Sequence, residues 1–131
     1  MPQFHYLDSS AILRLVVGEP ESSALRRHLR PITDTASSRL AWAEVPRAVR
    51  RSEPAALPRV QPVLDRMVAI TVTPDVIARA AGLDPVELRT LDAIHLVSAA
   101  SLGPDLAMIV TYDARMAAAA AARALPVVSP R

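Results

Sequence analysis

Hydrophobic and polar positions along the chain predict strands and helices in alternation. Residues 3–8 form a short apolar stretch that ends at an acid, which is typical of a strand. Residues 9–18 carry apolar side chains three and four positions apart, which predicts a helix that ends near Gly18. The same patterns predict further helices at 20–30, 37–53, 54–67, 75–83, 90–103 and 114–124, and further strands at 31–36, 68–74, 105–113 and 125–130.

Strands that alternate with helices predict a parallel sheet with helices on both faces. We therefore expect one α/β domain that comprises residues 1–131. Pro46 should kink the third helix or move its start, because proline has no N–H to donate in a helix interior. Prolines should also interrupt the segment 54–67, and residues 84–89 are predicted to form a loop or turn.

Composition excludes several classes of protein. The chain has no cysteine, so disulfides and thiolate metal sites are excluded. It has no run of about 18 apolar residues and no secretory signal pattern, so we expect a cytoplasmic protein without a membrane segment. All 15 basic residues are arginines, and the formal net charge is +2. Clustered arginines fit a polyanion such as RNA as well as they fit a solvated surface, and the candidates for contacts to an RNA backbone are Arg14, Arg26, Arg27, Arg47, Arg50 and Arg51.

Four acids stand out by their positions. Asp8 and Asp113 each end a predicted strand, and sites in α/β sheets form beyond the carboxyl ends of the strands. Asp92 and Glu44 lie in strongly apolar helical segments, where an unpaired carboxylate would cost free energy.

Each acid also has a structural interpretation. Asp8 and Asp113 could cap the helices that follow them. Asp92 could favour its helix dipole with Thr90 as the cap, and Glu44 could pair with Arg47. These roles are compatible with a functional site, because helix amino ends favour ionised carboxylates.

The segments "YLDSSAIL", "AEVPRAVRR", "LRTLDAIHLVSA" and "IVTYDARM" resemble the successive motifs of PIN-domain ribonucleases, and in particular of VapC-type toxins of type II toxin–antitoxin pairs. The resemblance covers essentially the whole chain. It implies a PIN-like three-layer sandwich with a short parallel central sheet. It also implies a Mg²⁺- or Mn²⁺-dependent endoribonuclease that leaves a 5′-phosphate and a 3′-hydroxyl. Implied partners are a VapB-like antitoxin and a second copy, in a homodimer and a toxin–antitoxin hetero-oligomer.

Carried over to this sequence, the resemblance implies an acidic metal pocket with a supporting role for Thr111. An oxygen-only donor set suits a hard cation. We assign Asp8 and Asp92 as principal ligands, and Glu44 and Asp113 as completing the pocket directly or through water. The carboxylates could hold one ion or two, and Pro46 could alter where Glu44 points.

Several neighbouring residues have two interpretations. His95, one turn from Asp92, could donate to the carboxylates or be a satisfied core residue. Ser9 and Ser10 could bind in the pocket or cap a helix. An antitoxin groove could be formed by apolar residues that serve equally well as core, namely Ile12, Leu13, Val16 and Leu25.

Other classes of protein place an acid after the first strand. A receiver domain needs a lysine, and this chain has none. An aspartate-nucleophile phosphatase needs a second Asp where this chain has Ser10. A non-enzymatic alternative is a catalytically weak PIN-fold protein that binds RNA or a partner.

Overall fold

The computed structural model describes residues 2–131 and arranges them as strands that alternate with helices. The strands are β1 (Phe4–Leu7), β2 (Thr35–Ser38), β3 (Val68–Ile70), β4 (Leu106–Val110) and β5 (Val127–Val128). The helices are α1 (Ser9–Val16), α2 (Ser22–Leu29), α3 (Ala41–Ser52), α4 (Val60–Leu64), α5 (Pro74–Ala81), α6 (Thr90–Ala100) and α7 (Ala114–Ala122). Short 3₁₀ turns occupy Pro54–Arg59 and Gly103–Asp105.

The five strands form one parallel sheet in the order β3-β2-β1-β4-β5. Strand β1 lies at its centre, where Tyr6 pairs with Ala36 of β2 and with Ile109 of β4. The predicted parallel sheet is therefore confirmed. The pairing of β1 with β4 brings their carboxyl ends together, so Asp8 lies beside the residues that follow β4.

Helices cover both faces of the sheet. Leu7 and Val110 face a core built with α1, α2, α3 and α4. Their chain neighbours Tyr6 and Ile109 face the opposite side, where they pack against α6 and α7. This alternation follows from the twofold period of a strand, and it confirms the predicted three-layer α/β arrangement.

The boundaries of β2 and α3 differ from those predicted. Residues 31–36 were expected to form the second strand, but β2 begins at Thr35 and includes Ser37 and Ser38. Both serines are fully buried, and they pair with Ala69 and Ile70 of β3. A serine pair before an apolar segment is typical of a helix start, but strand pairing in the sheet overrides that local preference. Helix α3 therefore begins at Ala41 rather than at residue 37.

Proline positions shape several of the connections. Helix α3 continues through Pro46 as one element. Strand β3 stops well before the predicted residue 74, because Pro74 occupies the first turn of α5 and the Thr73 hydroxyl accepts from the Val76 N–H. The proline-rich segment 54–67 forms a 3₁₀ turn and a short helix, as predicted. No helix within residues 2–131 is both long enough and apolar enough to cross a membrane.

Replacing Pro46 with Ala should raise the free energy of unfolding by about 2–3 kcal/mol. A proline inside a helix costs about 3 kcal/mol, and the lost restriction of the unfolded chain offsets up to about 1 kcal/mol of that gain. Urea unfolding followed by circular dichroism measures the difference. Pro74→Ala is the matched control and should not stabilise the protein, because Pro74 lies where a helix needs no N–H donor. Equal effects of the two substitutions would contradict this account.

Candidate active site

Asp8 is held at the carboxyl end of β1 by donors from two elements. One carboxylate oxygen accepts from the Ala11 N–H at 3.0 Å and from the Ser10 hydroxyl at 2.6 Å. The other accepts from the Thr111 hydroxyl at 2.5 Å. Asp8 is 3% exposed, so these bonds fix its carboxylate in one orientation. Asp8 therefore has the predicted capping role at α1 and also faces Thr111 across the sheet.

Ser10 and Thr111 tie Asp8 to the segment that follows β4. The Ser10 hydroxyl accepts from the Tyr112 N–H at 2.9 Å, and the Thr111 hydroxyl accepts from the Asp113 N–H at 3.1 Å. Burial raises the pKa of the Asp8 carboxyl, and the hydrogen bonds from Ser10 and Thr111 oppose that rise. The two hydroxyls thus support the ionised form of a buried acid.

Asp113 and Asp92 lie on either side of one guanidinium. Asp113 caps α7 by accepting from the Arg115 and Met116 N–H groups, as predicted. One nitrogen of Arg89 lies 3.6 Å from an Asp92 oxygen, and another lies 3.6 Å from an Asp113 oxygen. Arg89 therefore bridges the two acids.

The pKa of Asp92 is shifted by burial and by the charges of its neighbours. Burial raises the pKa of Asp92, the negative charge of Asp113 raises it further, and Arg89 opposes the rise. Asp8 adds a smaller effect in the same direction as Asp113. The predicted cap at Thr90 is wrong: Arg89 occupies the cap position of α6 without a side-chain cap hydrogen bond, and Thr90 begins the helix.

Glu44 is paired with His95 and not with Arg47. One Glu44 oxygen lies 2.7 Å from His95 Nε2 and accepts from the Ser9 hydroxyl at 2.7 Å. His95 is 2% exposed, and its Nδ1 lies 2.6 Å from the Tyr6 hydroxyl. The Tyr6 oxygen in turn accepts from the Ser38 N–H at 3.0 Å. A continuous set of hydrogen bonds therefore runs from the pocket into the core.

This set of hydrogen bonds favours the ionised form of Glu44. Burial alone would raise the pKa of Glu44, but the hydrogen bond and charge of His95 and the bond from Ser9 outweigh it, so the pKa is lowered. An ionised carboxylate is an acceptor, so His95 Nε2 carries a hydrogen and donates it. Both interpretations of His95 hold at once, because it is a satisfied core residue that also contacts a pocket acid.

The four acids thus share one edge of the sheet, but each is paired within the protein, and Asp92 and Asp113 share Arg89 as their partner. Across residues 2–131, no group of three or more His, Asp or Glu side chains is arranged to hold a metal ion. Carboxylates repel one another, and here each lies against a hydroxyl, an imidazole or a guanidinium instead. The expected close set of carboxylates around one point is therefore not preformed. Their oxygen donors nevertheless fit Mg²⁺ or Mn²⁺ chemically.

Two predicted sets of surface residues need correction. Arg14 is engaged in the protein: its guanidinium lies 3.1 Å from Glu21 and 4.3 Å from the centre of the Tyr112 ring. Of the two interpretations of Ile12, Val16 and Leu25, the structure confirms the core and not the antitoxin groove, because these side chains are buried. Five arginines remain exposed and, within the described residues, form no ion pair: Arg26, Arg27, Arg47, Arg50 and Arg51.

Comparison with known proteins identifies the family. The family model for the PIN domain matches residues 5–122. The chain belongs to the PIN domain family. It is similar to Ribonuclease VapC46 of Mycobacterium tuberculosis, with 48% identity over 95% of this chain and 96% of that protein. It is also 38% identical to Ribonuclease VapC47 of the same species, over 85% of each chain.

Solved structures of low identity share the PIN fold. VapBC2 from Rickettsia felis, bound to a promoter DNA fragment, superposes with a TM-score of 0.76 at 14% identity, over 98% of this chain and 100% of that one. A toxin–antitoxin complex from Klebsiella pneumoniae gives a TM-score of 0.72 at 23% identity, over 97% and 98% of the two chains. These likenesses confirm the fold.

Sequence reasoning missed two residues of this PIN-domain site. Tyr6 lies within the first predicted strand, and its hydroxyl contact to His95 spans 89 positions, so no local pattern reveals it. Arg89 lies in a predicted loop. Its place three residues before Asp92 is a signal that was available, since side chains so spaced meet at the start of a helix.

Replacing Tyr6 with Phe should lower the free energy of unfolding by about 1–3 kcal/mol, because the Ser38 N–H and His95 Nδ1 would lose a buried partner. Tyr112→Phe is the control. The Tyr112 hydroxyl donates to the Pro130 carbonyl in a partly exposed position, where water can replace it, so the loss should stay below about 1 kcal/mol. Chemical denaturation of both variants measures the difference. Similar decreases in the free energy of unfolding would show that the contact of Tyr6 with His95 contributes no more than an exposed hydrogen bond.

Proposed function

We propose that this protein is a metal-dependent endoribonuclease that hydrolyses RNA phosphodiester bonds and serves as the toxin of a toxin–antitoxin pair. The observation that carries the proposal is that Asp8, Asp92 and Asp113 lie at the same carboxyl edge of a PIN sheet as Glu44. Relatives at 48% and 38% identity are named ribonucleases, which supports the same activity here.

Asp8 and Asp92 would be the principal ligands of Mg²⁺ or Mn²⁺, with Glu44 and Asp113 completing the pocket. When bound, such a cation lowers the pKa of water and neutralises charge on the scissile phosphate. The hydrogen bonds to Asp8 hold its carboxylate in one orientation before a metal ion binds. Glu44, ionised and fixed by His95 and Ser9, is suited to orient the attacking water.

The alternative is a PIN-fold protein that binds RNA or a partner and cleaves weakly. One observation favours it: the acids are not arranged as a preformed metal site within residues 2–131. A test of function must therefore measure cleavage and metal binding separately.

Asp8→Asn and Asp92→Asn should each reduce RNA cleavage by more than about 100-fold. Loss of a residue that only contacts a metal ligand typically lowers activity about 10–100-fold, and loss of the ligand itself should lower it more. Cleavage should require Mg²⁺ or Mn²⁺ and stop with EDTA. Asp75→Asn is the matched control, since Asp75 is exposed on α5 in a surface pair with Arg79. Gel assays on structured RNA, with circular dichroism to check folding, give the answer.

Metal binding has its own readout in the same experiment. Millimolar Mg²⁺ or Mn²⁺ should raise the Tm of the wild type and of Asp75→Asn, because a ligand that binds the native state stabilises it, and it should raise the Tm of Asp92→Asn less. Cleavage that persists in the folded Asp8→Asn and Asp92→Asn variants, or that ignores EDTA, would reject the proposed mechanism. Metal binding without cleavage would favour the alternative.

This protein has a surface suited to binding the proposed antitoxin, on the side of the sheet that carries α2 and α4. A cavity of about 680 Å³ opens there. Its rim carries Arg26, Arg30 and Arg66, which form no ion pair within the described residues. Its apolar lining includes Leu15, Leu29, Ile32, Val63 and Met67. An apolar floor with a basic rim fits an acidic amphipathic segment, so we propose that the antitoxin binds here.

Arg26→Glu combined with Arg30→Glu should weaken the complex with the cognate antitoxin by at least about tenfold, because two attractions become repulsions. The effect should diminish at high salt. Arg50→Glu, an exposed charge reversal on α3 outside the cavity, is the control. Co-purification followed by calorimetric titration measures the change, and equal losses from both substitutions would place the antitoxin elsewhere.

A further inference from the structure

Arg89 occupies an unusual position for an arginine. It is the cap residue of α6, where Ser, Thr, Asp or Asn is preferred and where the helix dipole disfavours a positive charge. Thr90, a residue suited to capping, follows it directly but begins the helix instead. Helix formation alone therefore does not explain Arg89 at this place.

The contacts of Arg89 supply an explanation. Its guanidinium lies 3.6 Å from Asp92 on one side and 3.6 Å from Asp113 on the other. The negative charge of Asp113 raises the pKa of Asp92, so a positive charge between the two carboxylates relieves their repulsion. A guanidinium fork can face two carboxylates at once, which a lysine ammonium does less well.

The same contacts are easily broken. Both distances exceed those of a hydrogen bond, and the Arg89 side chain is 70% exposed. Exposed ion pairs of this kind contribute little to stability, so the guanidinium can leave the acids at small cost. Arg89 is thus placed where a divalent cation would need the same oxygens.

We propose that Arg89 is an internal counter-cation of the Asp92–Asp113 pair, and that it must release these carboxylates before a divalent metal ion binds. This inference rests on the proposed metal-dependent function. It deepens that function by making metal affinity a competition between Arg89 and the ion. The released guanidinium remains at the pocket rim, where an RNA phosphate is a natural partner.

Calorimetric titration of Mn²⁺ into the protein after EDTA treatment tests the competition without any activity measurement. Arg89→Gln should bind Mn²⁺ roughly three- to tenfold more tightly than the wild type, the change that corresponds to removal of one or two surface ion pairs. Arg89→Lys should bind with intermediate affinity. The difference between wild type and Arg89→Gln should shrink at high NaCl concentration, because screening weakens the pairing.

Two matched variants distinguish the bridging contacts of Arg89 from a general effect of positive charge on Mn²⁺ affinity. Arg79→Gln removes an exposed arginine whose ion pair with Asp75 lies on α5, and it should leave Mn²⁺ affinity unchanged. Arg115→Gln removes an exposed charge close to Asp113 in the chain, where within residues 2–131 the guanidinium makes no ion pair, and its effect should be smaller than that of Arg89→Gln. If Arg115→Gln raised the Mn²⁺ affinity as much as Arg89→Gln does, the bridging role of Arg89 would be overturned.

A second measurement observes Arg89 directly. In a ¹H–¹⁵N spectrum, the side-chain Nε–H signal that is absent in Arg89→Gln should shift when Mg²⁺ saturates the protein. Metal binding with no such shift and with equal affinities of wild type and Arg89→Gln would reject the inference and leave the proposed function intact. Failure of every variant to bind Mn²⁺ or Mg²⁺ would reject the metal-dependent function itself. Binding by Arg89→Gln but not by the wild type would support the inference.

Discussion

The hydrogen bond from Thr111 to the buried Asp8 carboxylate joins the ends of two neighbouring strands, and the rest of the site depends on it. A buried carboxylate needs compensating donors, and Asp8 receives them from Ala11, Ser10 and Thr111. These donors come together because β1 and β4 are parallel neighbours at the centre of the sheet. The sheet pairing and the carboxylate therefore stabilise each other, and the segment after β4 delivers Asp113 to the same edge.

Glu44 is fixed by a second connection, which crosses the sheet to the other layer. Helix α3 packs on one face, whereas His95 belongs to α6 on the opposite face, and the two side chains meet at the sheet edge. Tyr6 anchors His95 from the central strand. Helices of both layers are thereby held to one pocket, and the orientation of Glu44 is set by core packing as well as by α3 itself. This explains why a proline inside α3 does not detach Glu44 from the pocket.

The charges of the pocket are balanced within the protein. Asp8 relies on hydroxyls and a backbone N–H, Glu44 on an imidazole and a hydroxyl, and Asp92 and Asp113 share Arg89. This division keeps acids stable at one sheet edge in a fold that also has a basic surface. Proteins of the PIN family at 48% and 38% identity are named ribonucleases. For the proposed nuclease, binding of metal and RNA would therefore require the pocket acids to exchange some of their partners within the protein for the metal ion.

The sequence by itself determined the alternation of strands and helices, the parallel sheet, the family motifs and the caps at Asp8 and Asp113, because these depend on local periodicity and on residues adjacent in the chain. It misplaced the start of α3, because the serines before that helix are recruited by a neighbouring strand. The pairing of Glu44 with His95, the anchor at Tyr6 and the bridge made by Arg89 were decided by the tertiary structure. Most of these contacts join residues tens of positions apart, and which donor a buried acid finds depends on how the layers pack around it.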